Sequence, residues 1–127
     1  MAKKIIDVSE HQGIIDWNRA KSQIDGAILR VGYGDNISSQ DDWTWKRNAD
    51  ECTRLGIPFG VYIYSYATSM AQADSEAQHA LRCIKGYKLS YPVYLDLEEP
   101  GTQSGAVQRA NRFGDIIEGA GYMCGVY

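Results

Sequence analysis

Short apolar runs alternate along this chain with longer stretches whose apolar residues recur every three or four positions. Lys4 to Ser9, "KIIDVS", reads as a strand. The stretch from Trp17 to Ile24 reads as a short helix, with Asp16 at its N-cap. "GAILRVGYG" predicts a second strand, and Asp42 to Leu55, apolar at Trp45, Ala49, Cys52 and Leu55, a helix closed by Gly56 and Pro58. "FGVYIYSY" is the third strand. Ser69 to Ile84 carries the stripe Met70, Ala73, Ala77, Ala80, Leu81 and Ile84, which predicts an amphipathic helix ended by Gly86. "PVYLDLE", a helix over Ser104 to Ala120, and "YMCGVY" complete a βαβαβαβαβ order.

Strict alternation predicts parallel strands joined by crossover helices, in either an open doubly wound sheet or part of a βα barrel. Side-chain parity separates the two. Val61 and Ile63 oppose Tyr62, Tyr64 and Tyr66, and Val93, Leu95 and Leu97 oppose Tyr94, Asp96 and Glu98. One face is aliphatic and the other polar and aromatic. A sheet covered by helices on both sides wants two aliphatic faces, whereas a barrel covered only outside accepts polar groups near its mouth. The expectation is an α/β fold, a parallel, irregular TIM-like βα barrel represented by about five strands and four helices.

The 127 residues, 44% of them hydrophobic, suffice for one core and predict a single domain over 1–127. A net charge of −3 with interspersed signs offers no basic face for nucleic acid. No apolar run is long enough for a membrane span, and the N-terminal residues lack a secretory pattern, which fits synthesis in the cytoplasm. Cys52, Cys83 and Cys124 are odd in number and widely spaced, without metal-type pairing, and read as buried thiols in a reducing compartment. Neither a metal nor a cofactor is expected.

Function in parallel βα folds collects at the C-terminal ends of strands, where Asp7, Asp96 and Glu98 fall. Residues i and i+2 of a strand point the same way, about 7 Å apart, so Asp96 and Glu98 can flank one bond. With an ionised neighbour and tyrosine rings reducing hydration, one carboxyl keeps its proton to higher pH; Glu98, longer and nearer the rim, is the expected donor. Three acids also suit a divalent cation, which keeps a metal-dependent hydrolase as an alternative. Tyr33, Tyr62 and Tyr64 are candidate sugar contacts. Arg30 is expected to pair with a buried acid, Trp17 and Trp45 to pack in the core, and Trp43 is a candidate platform. His11 and His79 read as solvated residues of a loop and a helix surface.

"DVSEHQGIIDW", "AILRVGYG", "LGIPFGVYIYSYA" and "PVYLDLEE", in this order and spacing, resemble the glycoside hydrolase family 25 lysozymes, muramidases of bacterial autolysins and phage endolysins. The resemblance runs from Ile5 to Tyr127. It implies a βα barrel that cleaves the β-1,4 bond between N-acetylmuramic acid and N-acetylglucosamine in bacterial peptidoglycan, with retention; the lack of a secretory pattern fits release to the cell wall at lysis. It also implies Glu98 as general acid/base, Asp96 as its partner carboxylate and Asp7 as the first-strand acid. Domains of this family continue past the strand resembling "YMCGVY". The chain is therefore expected to be a truncated domain that self-associates through open strand edges, and a catalytically impaired glycan-binding fragment is the second alternative.

Overall fold

The computed structural model describes residues 3–126. Five strands form one parallel sheet in the order β1 (Ile5–Val8), β2 (Gly26–Tyr33), β3 (Phe59–Tyr64), β4 (Val93–Asp96) and β5 (Cys124–Val126). Between them lie α1 (Trp17–Ala20), α2 (Trp45–Leu55), α3 (Met70–Ile84) and α4 (Ala106–Gly119). The strand order never reverses. Since parallel crossovers are right-handed, four successive crossovers in one direction carry every helix to the same face, as in a barrel wall; a doubly wound sheet requires a reversal. Among the described residues the sheet is open, and no helix is long and apolar enough to cross a membrane.

The faces divide as the alternation predicts. Val8, Leu29, Val31, Val61, Ile63, Val93 and Leu95 are buried, with Ala77, Ala80, Ile84, Phe113 and Ile117 of the helices in the same core. Asp7, Ile28, Arg30, Tyr62, Tyr64, Tyr94 and Asp96 take the opposite parity. That face is concave: Tyr94 of β4 lines one hollow of about 240 Å³ together with Ile5 and Ile28 of β1 and β2. The curl is made possible by small residues. A Cβ on Gly125 would stand 2.5 Å from the Tyr94 ring, so that ring lies flat where β5 carries no side chain.

One irregularity re-aims the site. Between Arg30 and Gly32 the β2–β3 register slips, leaving Val31 as an extra residue. Strict alternation would put Tyr33 with Ala27, Leu29 and Val31 on the helix side. After the bulge it pairs with Tyr64 and joins the concave face.

Helix ends follow local chemistry. Ser69 caps α3 by accepting from Gln72 N at 3.2 Å, and α2 stops at Gly56, whose φ of 68° closes the last turn. The first helix is only four residues long where the spacing predicts eight; it is held by Trp17, fully buried with Nε1 donating to Asn48 Oδ1 at 3.0 Å, rather than by helix length. The expected fifth strand, Tyr122 to Tyr127, is observed over Cys124–Val126, and Tyr127 lies outside the described residues. Gly32 bridges to Asp41, and a Cβ there would collide with the Gln40 carbonyl oxygen and stand 2.9 Å from His79 Cε1. Gly32→Ala is accordingly expected to destabilise the fold by about 1–3 kcal/mol, read as a lower urea midpoint at unchanged m.

Candidate active site

The acids gather where the strand ends place them. Asp7 lies in β1, Asp96 is the last residue of β4, and Glu98 stands two residues beyond it, in the following loop rather than in the strand. Asp96 and Glu98 line a cleft of about 310 Å³ with His11, Arg30, Tyr62, Tyr64 and Tyr66. Asp7 adjoins it on the concave floor, close enough for its charge to act on both Tyr62 and Asp96. The three expected acids therefore share one mouth.

Asp96 is the buried one of the three. It is 5% exposed, and its Oδ1 has no hydrogen-bond partner. Burial pushes its carboxyl up to about 6; the charge of Glu98, a hydrogen bond with Glu98 and the charge of Asp7 add to the effect. Asp96 therefore keeps a proton up to about pH 6. Sequence reasoning assigns that proton to Glu98; in the free protein burial draws it toward Asp96. Burial also pushes the Tyr62 hydroxyl to about 12, so it stays a proton donor beside the acids.

Arg30 lines the cleft, but its guanidinium is engaged within the protein, as its position inside an apolar strand predicts. Nε donates to Asp42 Oδ2 at 2.9 Å and Nη2 to Glu10 Oε1 at 2.7 Å. Asp42 also accepts from Glu10 N at 2.8 Å and from Thr44 N at 2.8 Å. These bonds tie the turn after β1, Glu10–Gln12, to the loop after β2 and set His11 at the cleft. His11 is exposed, as expected for a loop histidine, yet it faces the acids.

The tyrosines form a row. Tyr64 and Tyr66 have centroids 5.1 Å apart, and Tyr66 and Tyr33 meet edge-on at 5.8 Å. Tyr62 and Tyr64 face the acids; Tyr33 lines a second hollow of about 390 Å³, with Asp35, Gln40 and Glu76, on the far side of Tyr66. The Tyr64 hydroxyl donates to Glu99 Oε2 at 2.7 Å, clasping the residue next to Glu98. Tyr66 is held by Glu76, a buried carboxylate of α3 that accepts from Tyr66 N at 2.8 Å and Ser65 Oγ at 2.7 Å. Burial pushes the Glu76 carboxyl up. Sequence reasoning passed over Glu76, although it sits on the apolar stripe between Ala73 and Ala77.

Other residues stand elsewhere. Trp17 and Trp45 are in the core, while Trp43, 64% exposed, borders a different cleft with Asp41, Arg82 and Lys85. His79 is fully buried rather than on the helix surface, because the loop after β2 folds over that flank of α3 and supplies both its partners, Gly34 O and Asp41. Among the described residues, ligand atoms of three candidate metal-binding groups come within 4.8 Å of one another at Asp41, His79 and Cys83, not at the three acids.

The sequence profile of the glycosyl hydrolases family 25 matches residues 6–127. The chain belongs to this family. Among solved structures it is similar to the modular autolysin LytC of Streptococcus pneumoniae, at 37% identity and a TM-score of 0.85 over 98% of this chain and 32% of that one. It is also similar to GHIP, a glycosyl hydrolase 25 of Streptococcus pneumoniae described as a virulence factor participating in host cell invasion. That match has 26% identity and a TM-score of 0.86, over 98% of this chain and 58% of GHIP. The catalytic domain of endolysin ply40 from bacteriophage P40 of Listeria monocytogenes shares the fold, with a TM-score of 0.87 at 24% identity over 99% of this chain and 63% of that one. A comparison with curated protein sequences gave no match. The chain thus spans between 32% and 63% of the length of these relatives.

The raised Asp96 carboxyl has a stability consequence. Because its folded value, about 6, lies above its ordinary value of 3.8, ionisation favours the unfolded chain once pH exceeds about 4, and the penalty is complete above about 6. Asp96→Asn is expected to raise Tm at pH 7 by about 4 °C or more, with the gain shrinking as pH falls from 6 to 4. Calorimetric scans at pH 4, 5, 6 and 7 check it.

Proposed function

We propose that this protein is a peptidoglycan hydrolase of the bacterial cell wall, a muramidase cleaving the β-1,4 bond between N-acetylmuramic acid and N-acetylglucosamine. The observation that carries the reading is the pair Asp96 and Glu98, one buried and one open, in one cleft at the C-terminal end of β4 beside Asp7. The relatives support the substrate class: LytC has been solved with a synthetic peptidoglycan ligand, at 36% identity to this chain.

In this reading Glu98, the more solvent-facing carboxyl, gives its proton to the glycosidic oxygen as the C1–O bond breaks. The carbonyl oxygen of the muramic 2-acetamido group attacks C1 from the other side, and Asp96, ionised at that stage, orients the acetamido nitrogen and balances the positive charge. Water deprotonated by Glu98 then opens the cyclic intermediate, so configuration is retained. Direct attack by Asp96 is the competing route; its buried Oδ1, free of hydrogen bonds, is available for either role. Tyr62 and Tyr64 face the reacting sugar, and Tyr33 and Tyr66 offer ring faces to the next unit along the row.

Glu98→Gln is expected to lower muropeptide release by at least about a hundredfold, the scale of general acid catalysis. Near-normal release by that variant would overturn the assignment. The wild-type profile of kcat/KM should also fall as pH rises through about 6, where Asp96 gives up the proton that Glu98 must pass to the leaving oxygen. A profile flat from pH 5 to 8 would show that this proton is not the one transferred.

A further inference from the structure

The buried His79 poses a problem of donors and acceptors. Its Nδ1 lies 3.0 Å from the carbonyl oxygen of Gly34, which can only accept, so Nδ1 carries a hydrogen. Its Nε2 lies 2.7 Å from Asp41 Oδ1, a carboxylate oxygen that also only accepts. Two lone pairs cannot face each other at that distance in a buried place; positive charge must sit between them. A proton can supply it. So can a metal ion, and three further features select the ion.

The first is a third ligand. Cys83 stands one helical turn after His79 on α3, and its Sγ, His79 Nε2 and an Asp41 oxygen all lie within 4.8 Å of one another. The second is orientation: a histidine whose Nδ1 is fixed by a backbone carbonyl presents Nε2 as a ligand, the arrangement that metal-binding histidines use. The third is access. Asp41 and Cys83 border a solvent cleft of about 360 Å³, which gives an ion a path to an otherwise buried imidazole.

We propose that Asp41, His79 and Cys83 form a binding site for a divalent transition-metal ion of the zinc class, separate from the acid cleft. One thiolate, one carboxylate and one neutral imidazole balance the two charges of the ion and leave a fourth position for water. Bond lengths of roughly 2.0–2.3 Å put tetrahedral ligand atoms ~3.3–3.6 Å apart. His79 Nε2 and Asp41 Oδ1 therefore separate slightly on binding, and Cys83 Sγ swings inward. The proton between Nε2 and Oδ1 and the proton of the Cys83 thiol leave for solvent. Arg82 donates from Nη1 to Asp41 Oδ2 at 2.9 Å and from Nη2 to Asp41 Oδ1 at 2.7 Å; it keeps the first bond, which holds the carboxylate in place, and gives up the second as Oδ1 turns to the ion.

Cobalt(II) tests the site on the purified protein, because a thiolate ligand gives it a charge-transfer band in the near ultraviolet. The expected result is a band that saturates at one cobalt per chain and disappears on adding zinc. Cys83→Ser, nearly isosteric, should abolish the band while circular dichroism stays native, and Cys52→Ser should leave it intact. Asp41→Asn should weaken cobalt binding at least about tenfold. Absence of a band at saturating cobalt would overturn the proposal and leave His79 held by a proton alone. So would a band that survives Cys83→Ser, or cobalt binding that is lost in Asp96→Asn, which would place the ion among the cleft acids.

Discussion

Everything in this fold depends on burying one face of each strand beneath the helices while leaving the other face to chemistry. Val61, Ile63, Val93 and Leu95 are each at most 2% exposed, and burying such a side chain contributes roughly 1.5–3 kcal/mol. Because strand parity is fixed, the same packing that hides these residues turns Tyr62, Tyr94 and Asp96 to the concave side. Asp96 is a by-product of Leu95 being well packed. Its unfavourable burial is carried by the aliphatic layer next to it, which is how an acid that weakens the fold persists at the site.

The loops at the mouth are held by charge. Arg30 of β2 ties the turn after β1 through Glu10 and Asp42; Glu76 of α3 ties the segment after β3 through Ser65 and Tyr66. Arg109 of α4 does the same after β4, donating to Ser104 O at 2.7 Å and to Thr102 O. Each anchor is nearly buried and reaches a loop that carries cleft residues. A charged anchor costs desolvation, but its bonds have direction, and direction sets where His11, Tyr66 and Glu98 stand.

Much of this was legible in the sequence. Alternation of Val61 and Ile63 against Tyr62 and Tyr64 defines both faces, and strand-end position brings Asp7, Asp96 and Glu98 to one mouth. Tyr33 stands on the concave face, as a sugar contact must, but for a reason no local pattern shows: the extra residue at Val31 reverses its parity. The misreadings likewise come from features with no periodic signature. His79 reads as surface because it lies at the flank of the α3 stripe, and only a loop distant in sequence covers it. Glu76 was readable in principle, since a carboxylate on an apolar stripe demands a partner.

The charged anchors have a consequence for behaviour on heating. The hydration of charged groups becomes less favourable as temperature rises, so the desolvation cost of Arg30, Glu76 and Arg109 falls while apolar burial gains little more per unit area. The rim of the cleft therefore does not soften ahead of the sheet. The geometry around Asp96 thus leans on charged anchors whose cost shrinks with warmth as well as on the aliphatic layer beneath it.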